Sequence, residues 1–308
     1  MIRLCRSLAI ATLLVVGLAA QTPQPAPSAQ PAQPGQPAMA PRAPQGPRIA
    51  FPAPSPAATL KQRVGLTDIE IVYSRPGAKG RQMLGGKEPN GTVWRTGANS
   101  CTKITFSTPV KFGGADVPAG TYGLFSIPGE TEWTVILSKN STQWGAFTYD
   151  QKDDVVRVTT VPVKVAEPVE TFTIDLNDLR DSSATLNLIW EKLRVPVKIE
   201  VDILGMLVPQ IDAAMAAEGG RKPYAQAAQF YLDQNLDLKK ALGWTDAAIA
   251  ERANPTNEYL RAEILAKMGD KAGAIAAARQ SIDLADKAGG AVKAEYTKLN
   301  EALIAGLK

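Results

Sequence analysis

Leu186-Asn187-Leu188-Ile189-Trp190 and, a few residues on, Val195-Pro196-Val197-Lys198-Ile199-Glu200-Val201 decide the fold class. Leu186, Leu188 and Trp190, then Val195, Val197, Ile199 and Val201, recur at every second residue, the period of a strand with one buried face. The same alternation runs upstream through Phe172, Ile174 and Leu176, and earlier through Ile69, Ile71 and Tyr73. Further strands are predicted over Lys103 to Ser107, Thr121 to Ile127, Trp133 to Ser138 and Val155 to Val165. Gly113-Gly114, Pro118-Ala119-Gly120 and Pro128-Gly129 punctuate them. So many short strands with no helical pattern between them bury their apolar faces most simply as two packed antiparallel sheets. The region 57–203 therefore reads as a β-sandwich, with jelly-roll and Ig-like strand orders both open.

Beyond Asp202 the texture changes to alanine, leucine and charged residues at helical spacing. Leu232 matches Leu265 at an offset of 33, and the same offset relates Asp237 to Asp270, Ala241 to Ala274, Leu242 to Ile275 and Ile249 to Ile282. A period near 34 is the mark of tetratricopeptide (TPR) helix pairs. Residues 204–308 thus read as a small TPR-like helical domain, closed by a helix over Ala291 to Lys308 and expected to pack on the sandwich. The fold class is mainly β plus α.

Upstream, Arg3 and Arg6 precede an apolar run from Leu8 to Leu18 and the small residues Gly17 to Ala20, the layout of a cleavable signal peptide over 1–20. Residues 21–56 are rich in proline, alanine and glutamine and nearly devoid of large apolar side chains, which reads as a disordered linker. The protein is expected to be periplasmic or secreted, with no transmembrane span once the signal is cleaved.

Charge and composition exclude several function classes. The net charge of +4 comes from Arg3, Arg6, Arg42 and Arg48 in an acid-free stretch; the remaining 30 bases face 30 acids. A neutral folded region has no global basic field, and no nucleic-acid partner is expected. Histidine is absent from the sequence. That rules out Ser-His-Asp and Cys-His catalysis and any metal site built on imidazole, and no cofactor is expected. Cys5 leaves with the signal, so Cys101 is left without an intramolecular disulfide partner. Ser100 and Lys103 have Ser-x-x-Lys spacing but enter a strand, where positions three apart face opposite ways. Gly85-Gly86-Lys87 ends like a phosphate-binding loop, yet Arg81 replaces the leading glycine and Glu88 follows, so it reads as a turn.

Four motifs, Ser74 to Arg81, Val93-Trp94-Arg95-Thr96-Gly97-Ala98-Asn99, Pro118 to Tyr122 and Trp133 to Ile136, resemble a bacterial family catalogued as domain of unknown function 2911. The resemblance covers about residues 57 to 202. It implies an exported protein, often with a TPR-like tail, and supplies no reaction or ligand.

One local feature stands out. Arg75, Lys79, Arg81, Lys87, Arg95 and Lys103 crowd into a stretch whose only acid is Glu88. Guanidinium forks suit anionic groups, and Trp94, Trp144 and Tyr149 offer flat faces for a sugar or ring. The candidate ligand-binding residues are Arg75, Arg95, Asn99, Trp94, Trp144 and Tyr149. The competing expectation is that the bases pair with Asp150, Asp153 and Asp154 to lock long loops. Functionally, a non-catalytic binding or scaffold protein is favoured, with an anionic or carbohydrate ligand on the sandwich and a protein partner on the TPR-like helices. The alternative is a carboxylate-based hydrolase or lyase acting on glycans, whose two carboxyls would stand roughly 5–10 Å apart.

Overall fold

The computed structural model describes residues 51–307, so the signal peptide and almost all of the linker lie outside the described residues. Ten strands form two antiparallel sheets. The first, in spatial order, contains β1 (Ala57–Val64), β2 (Thr67–Ser74), β3 (Thr102–Phe106), β6 (Gly120–Ile127), β7 (Trp133–Ser138) and β8 (Asp154–Thr160). The second runs β5 (Ala115–Val117), β4 (Val110–Phe112), β10 (Ser183–Val201) and β9 (Val163–Arg180). Alternate residues of each strand meet between the sheets. Ile69, Ile71 and Tyr73 of β2 and Leu124, Val135 and Leu137 of β6 and β7 face Phe172, Ile174 and Leu176 of β9 and Leu186, Leu188, Val197 and Ile199 of β10. Each such side chain contributes about 1.5–3 kcal/mol relative to exposure, so the core needs no disulfide.

Two strand expectations are corrected. The run from Val155 to Val165 is not one strand: it breaks at Val161-Pro162, where the chain leaves the edge of the first sheet as β8 and enters the second as β9. Pro162 has no N–H to give a ladder. Conversely, the two decisive runs, Leu186 to Trp190 and Val195 to Val201, belong to a single strand, β10. Buried apolar residues occupy even positions up to Trp190 and odd positions from Val195. The change of phase falls at Glu191, whose φ is 50°, and the register with β9 shifts on both sides of it. A left-handed residue within a strand re-aims the side chains that follow it.

Six helices follow: α1 (Ile203–Ala216), α2 (Tyr224–Asp233), α3 (Leu238–Glu251), α4 (Pro255–Lys267), α5 (Lys271–Ala288) and α6 (Gly290–Leu307). The offset of 33 falls on equivalent places in two helix pairs. Asp237 and Asp270 are the N-caps of α3 and α5, accepting from Lys239 and Lys240 amides and from the Gly273 amide respectively. Ala241 and Ala274, four residues on, are both fully buried. Helix α6 closes the array, with Asn300 donating to Ser281 Oγ at 2.9 Å. The helices keep their own apolar clusters, one around Ile211, Tyr231, Leu260 and Ile264 and another around Leu265, Ala274 and Ala278. They meet the sandwich at a narrow junction: Ile203 caps the inter-sheet core, and Phe230 packs against both that core and the α1–α4 cluster. Gly65, at φ 55° in the β1–β2 turn, is required there, because a Cβ would lie 2.6 Å from Ile203 Cγ2. No helix among the described residues is long and apolar enough to cross a membrane.

Candidate ligand-binding site

The connection from β2 to β3, residues 75–101, carries most of the nominated residues, and its first half is bound to the second sheet. Arg75 donates from Nε to the Phe172 carbonyl at 3.1 Å and from a terminal nitrogen to Thr173 Oγ1 at 2.7 Å. It is a clamp between the sheets. The Lys79 amide donates to the Glu170 carboxylate at 2.6 Å, and Arg81 folds back on the carbonyls of Gly77 and Ala78. Gly85-Gly86-Lys87 forms a tight turn in which the Glu88 amide donates to the Met83 carbonyl at 2.8 Å. Of the three Asp partners considered in the sequence, Asp150 pairs with Lys152 at 2.7 Å and Asp154 with Arg157 at 2.7 Å. Of the bases of this connection, Arg75 and Arg81 are held by backbone carbonyls and Thr173, while Glu170 binds the backbone amide of Lys79.

The second half crosses β6. Trp94 and Ser126 exchange backbone hydrogen bonds of 2.7 and 2.9 Å. The Trp94 indole enters the inter-sheet core, stacked on Trp190 with centroids 5.7 Å apart and planes at 17°, and its Nε1 donates to the Gly97 carbonyl. Thr96 is fully buried at φ 53°, an unusual conformation for a β-branched residue. It is fixed there because its hydroxyl meets Ser126 Oγ at 2.9 Å and its carbonyl accepts from Thr102 Oγ1. Gly97 lies so close to β2 that a Cβ would stand 2.9 Å from the Ser74 carbonyl. Between Trp94 and Thr96, Arg95 has a buried Nε with no hydrogen-bond partner. Burial pushes the Glu88 carboxyl above its ordinary range, and the Arg95 charge pulls it back. Asn99, exposed at φ 63°, donates to Ser74 Oγ at 3.1 Å.

A second segment, residues 139–153, lies alongside. The Cys101 amide donates to the Gln143 carbonyl at 3.1 Å, the Gly145 amide to the Asn99 carbonyl at 3.0 Å, and Ser100 pairs with Trp144. Thr102 in turn donates to the Arg95 carbonyl at 3.2 Å, so the backbones of Arg95, Cys101-Thr102 and Gln143 form successive rungs. Together the segments cover the outer face of the six-stranded sheet, where Cys101, Phe125 and Ile136 form a small cluster with Val93, Ala146 and Tyr149. Tyr149 is pinned: its hydroxyl donates to Asp154 at 2.7 Å and accepts from Arg157 at 2.8 Å. Burial, then the Asp154 hydrogen bond, push its phenol up to about 12. Burial also raises the Cys101 thiol, which keeps it a small core residue.

Two aromatic side chains of this segment face water, Trp144 at 64% exposure and Phe147 at 85%. Beside them, Gln143 is buried with an unpartnered Nε2. Of the six nominated residues, Arg95, Asn99, Trp144 and Tyr149 lie on two adjoining segments, while Arg75 and Trp94 are structural. Gln143, Phe147 and Glu88 join the first four. An aromatic three residues from Trp144 was the one sequence signal for Phe147. Nothing in the sequence marked Gln143.

Among the described residues, no group of three His, Cys, Asp or Glu side chains is placed to hold a metal ion. Residues 55–199, a little under half of the chain, match the family model described as Protein of unknown function (DUF2911). No curated protein and no solved structure matches the chain.

Proposed function

We propose that this protein is an exported, non-catalytic binding protein of the cell envelope, whose sandwich holds an anionic ligand at Arg95 and Trp144. The observation that carries the reading is the buried, unpartnered Nε of Arg95. Buried donors of a charged group are paired in the great majority of cases, and leaving one unpaired costs a few kcal/mol. A ligand acceptor at the guanidinium removes that penalty. The exposed Trp144, on the segment paired with Ser100 and Cys101, offers an apolar face, and small-molecule sites combine such faces with a few placed polar groups.

The glycan-hydrolase alternative needs two free carboxyls in one cleft. Around this site Glu88 stands beside Arg95 with its pKa raised by burial, while Glu170 and Glu191 accept backbone N–H groups and Asp154 is held by Tyr149 and Arg157. Export is supported by the basic start, apolar run and small residues of the first twenty positions. The helix pairs are read as TPR-like and as a docking surface for a protein, on the offset of 33 and the matching Asp caps.

Paired unfolding and binding measurements on Arg95→Ala test the ligand reading. Lost binding with stability retained supports it. A loss of about 3–5 kcal/mol, the cost of breaking a buried charged pair, with no ligand found for the wild type would make Arg95 a structural clamp instead.

A further inference from the structure

We infer that the ligand of this site is a carboxylated saccharide, an inference that rests on reading Arg95 as a ligand group. Three features narrow the chemistry. Arg95 Nε and Gln143 Nε2 are both buried donors without acceptors, and their backbones flank the same two residues, Cys101 and Thr102. Two such donors call for acceptor oxygens, and a carboxylate presents two with about four lone-pair directions. Next, Trp144 and Phe147 expose broad ring faces on one short turn. Gly145, at φ 68°, makes that turn possible, since a Cβ there would lie 2.8 Å from the Phe147 ring. Exposed aromatic faces suit the apolar C–H face of a pyranose ring. Finally, the exposed side chains around them are short, neutral and hydrogen-bonding, namely Asn99, Ser100, Thr142 and Thr148. Neutral donors and acceptors match ring hydroxyls, whereas a ligand carrying several phosphates would call for more cations. Arg157, which donates to Tyr149, is already paired with Asp154, and this leaves Arg95 as the guanidinium for a ligand, which matches one negative charge per ring.

The probes are trigalacturonic acid and N-acetylmuramic acid, each beside its methyl ester, titrated into the full chain while tryptophan fluorescence is followed. Trp144 is the exposed reporter: Trp94, Trp133 and Trp190 are at most 2% exposed, and Trp244 lies half-buried among the helices. We expect at least one of the acids to change the emission saturably and its ester to bind at least tenfold more weakly. Arg95→Ala should make acid and ester equal, and Trp144→Phe should abolish the signal. Equal binding of acid and ester by the wild type overturns the inference. So does binding of glucose 6-phosphate, dependent on Arg95, with neither sugar acid bound, and that outcome leaves the anionic-ligand reading standing. If no probe binds, the inference falls, and strong destabilisation by Arg95→Ala then takes the ligand reading with it.

Discussion

Glu191 holds Met83: the Met83 amide donates to the Glu191 carboxylate at 2.9 Å, and the Leu84 amide donates to the other oxygen at 3.0 Å. The left-handed φ of Glu191 aims its carboxylate at the β2–β3 connection, so the kink in β10 and the position of that connection are one device. Removing the carboxylate strands two amides that are partly withdrawn from water. Glu191→Ala should therefore cost about 1–3 kcal/mol in urea unfolding. The first cleavage by a nonspecific protease should move into residues 79–91. Unchanged stability would show that the connection is held by Glu170 alone.

Trp94 and Trp190, stacked 5.7 Å apart, stand at the centre of an aromatic group that includes Trp133 and Phe172. Trp94→Ala should destabilise by about 3–5 kcal/mol, the usual cost of truncating a buried large aromatic. Measured on the folded fraction, binding at the Arg95 site should persist. A stable Trp94→Ala variant that fails to bind would restore Trp94 as a ligand wall.

The alternation of Ile69, Ile71 and Tyr73, and of Phe172, Ile174 and Leu176, was legible because a half-buried strand leaves a period of two in the sequence. The single strand β10 was not read, because the phase change between Trp190 and Val195 looks like a turn unless one residue takes a left-handed φ. Nothing in Glu191-Lys192-Leu193-Arg194 resembles a turn, and that absence was the available clue. The candidate site was half legible. Arg95, Asn99, Trp144 and Tyr149 lie on adjoining segments because backbone rungs join those segments. Arg75 and Trp94 are equally basic and aromatic, yet they turn inward, and the direction of a loop side chain has no periodic signature.

Alkaline stability should carry the mark of Tyr149. Its pKa is about 12 when folded, against an ordinary value of 10, through burial and then the Asp154 hydrogen bond. The unfolded chain loses this proton first, so the contribution is fully present below pH 10 and is lost as pH rises through about 12. Tyr259, also pushed up to about 12 by burial and then by the Glu263 charge, adds a second such contribution from the helices. Tyr149→Phe should flatten part of the fall in urea midpoint between pH 10 and 12. An unaltered slope would mean that Tyr149 titrates alike in both states.

The junction at Phe230 makes a prediction about cooperativity. The sequence suggested helices dependent on the sandwich, whereas the structure gives them two apolar clusters of their own and a narrow contact. Phe230→Ala should cost about 2 kcal/mol, less than a fully buried phenylalanine. It should also split one thermal transition into two, because coupling between the units rests on few residues. A single unchanged transition in the variant would place the coupling in Ile203.

Thr96 ties backbone strain to the site. A β-branched residue at φ 53° pays roughly 1–2 kcal/mol for the left-handed conformation, held here by Ser126 and Thr102. Thr96→Gly relieves that strain but loses the Ser126 hydrogen bond, about 1 kcal/mol, and some buried methyl surface, about 0.8 kcal/mol, and adds the entropic cost of glycine, about 0.5–1 kcal/mol. The net destabilisation should stay within about 2 kcal/mol. Thr102→Gly, in a regular strand with no strain to relieve, should cost about 2–3 kcal/mol, because it loses its own hydrogen bond and pays the glycine entropy. Binding should divide the two roles further. Strain clustered beside a ligand group serves to fix that group, and a glycine at 96 frees the neighbouring Arg95 to swing. Thr96→Gly should therefore weaken binding of a sugar acid at least fivefold, measured on the folded fraction. Undiminished binding would show that the left-handed turn only closes the β2–β3 connection.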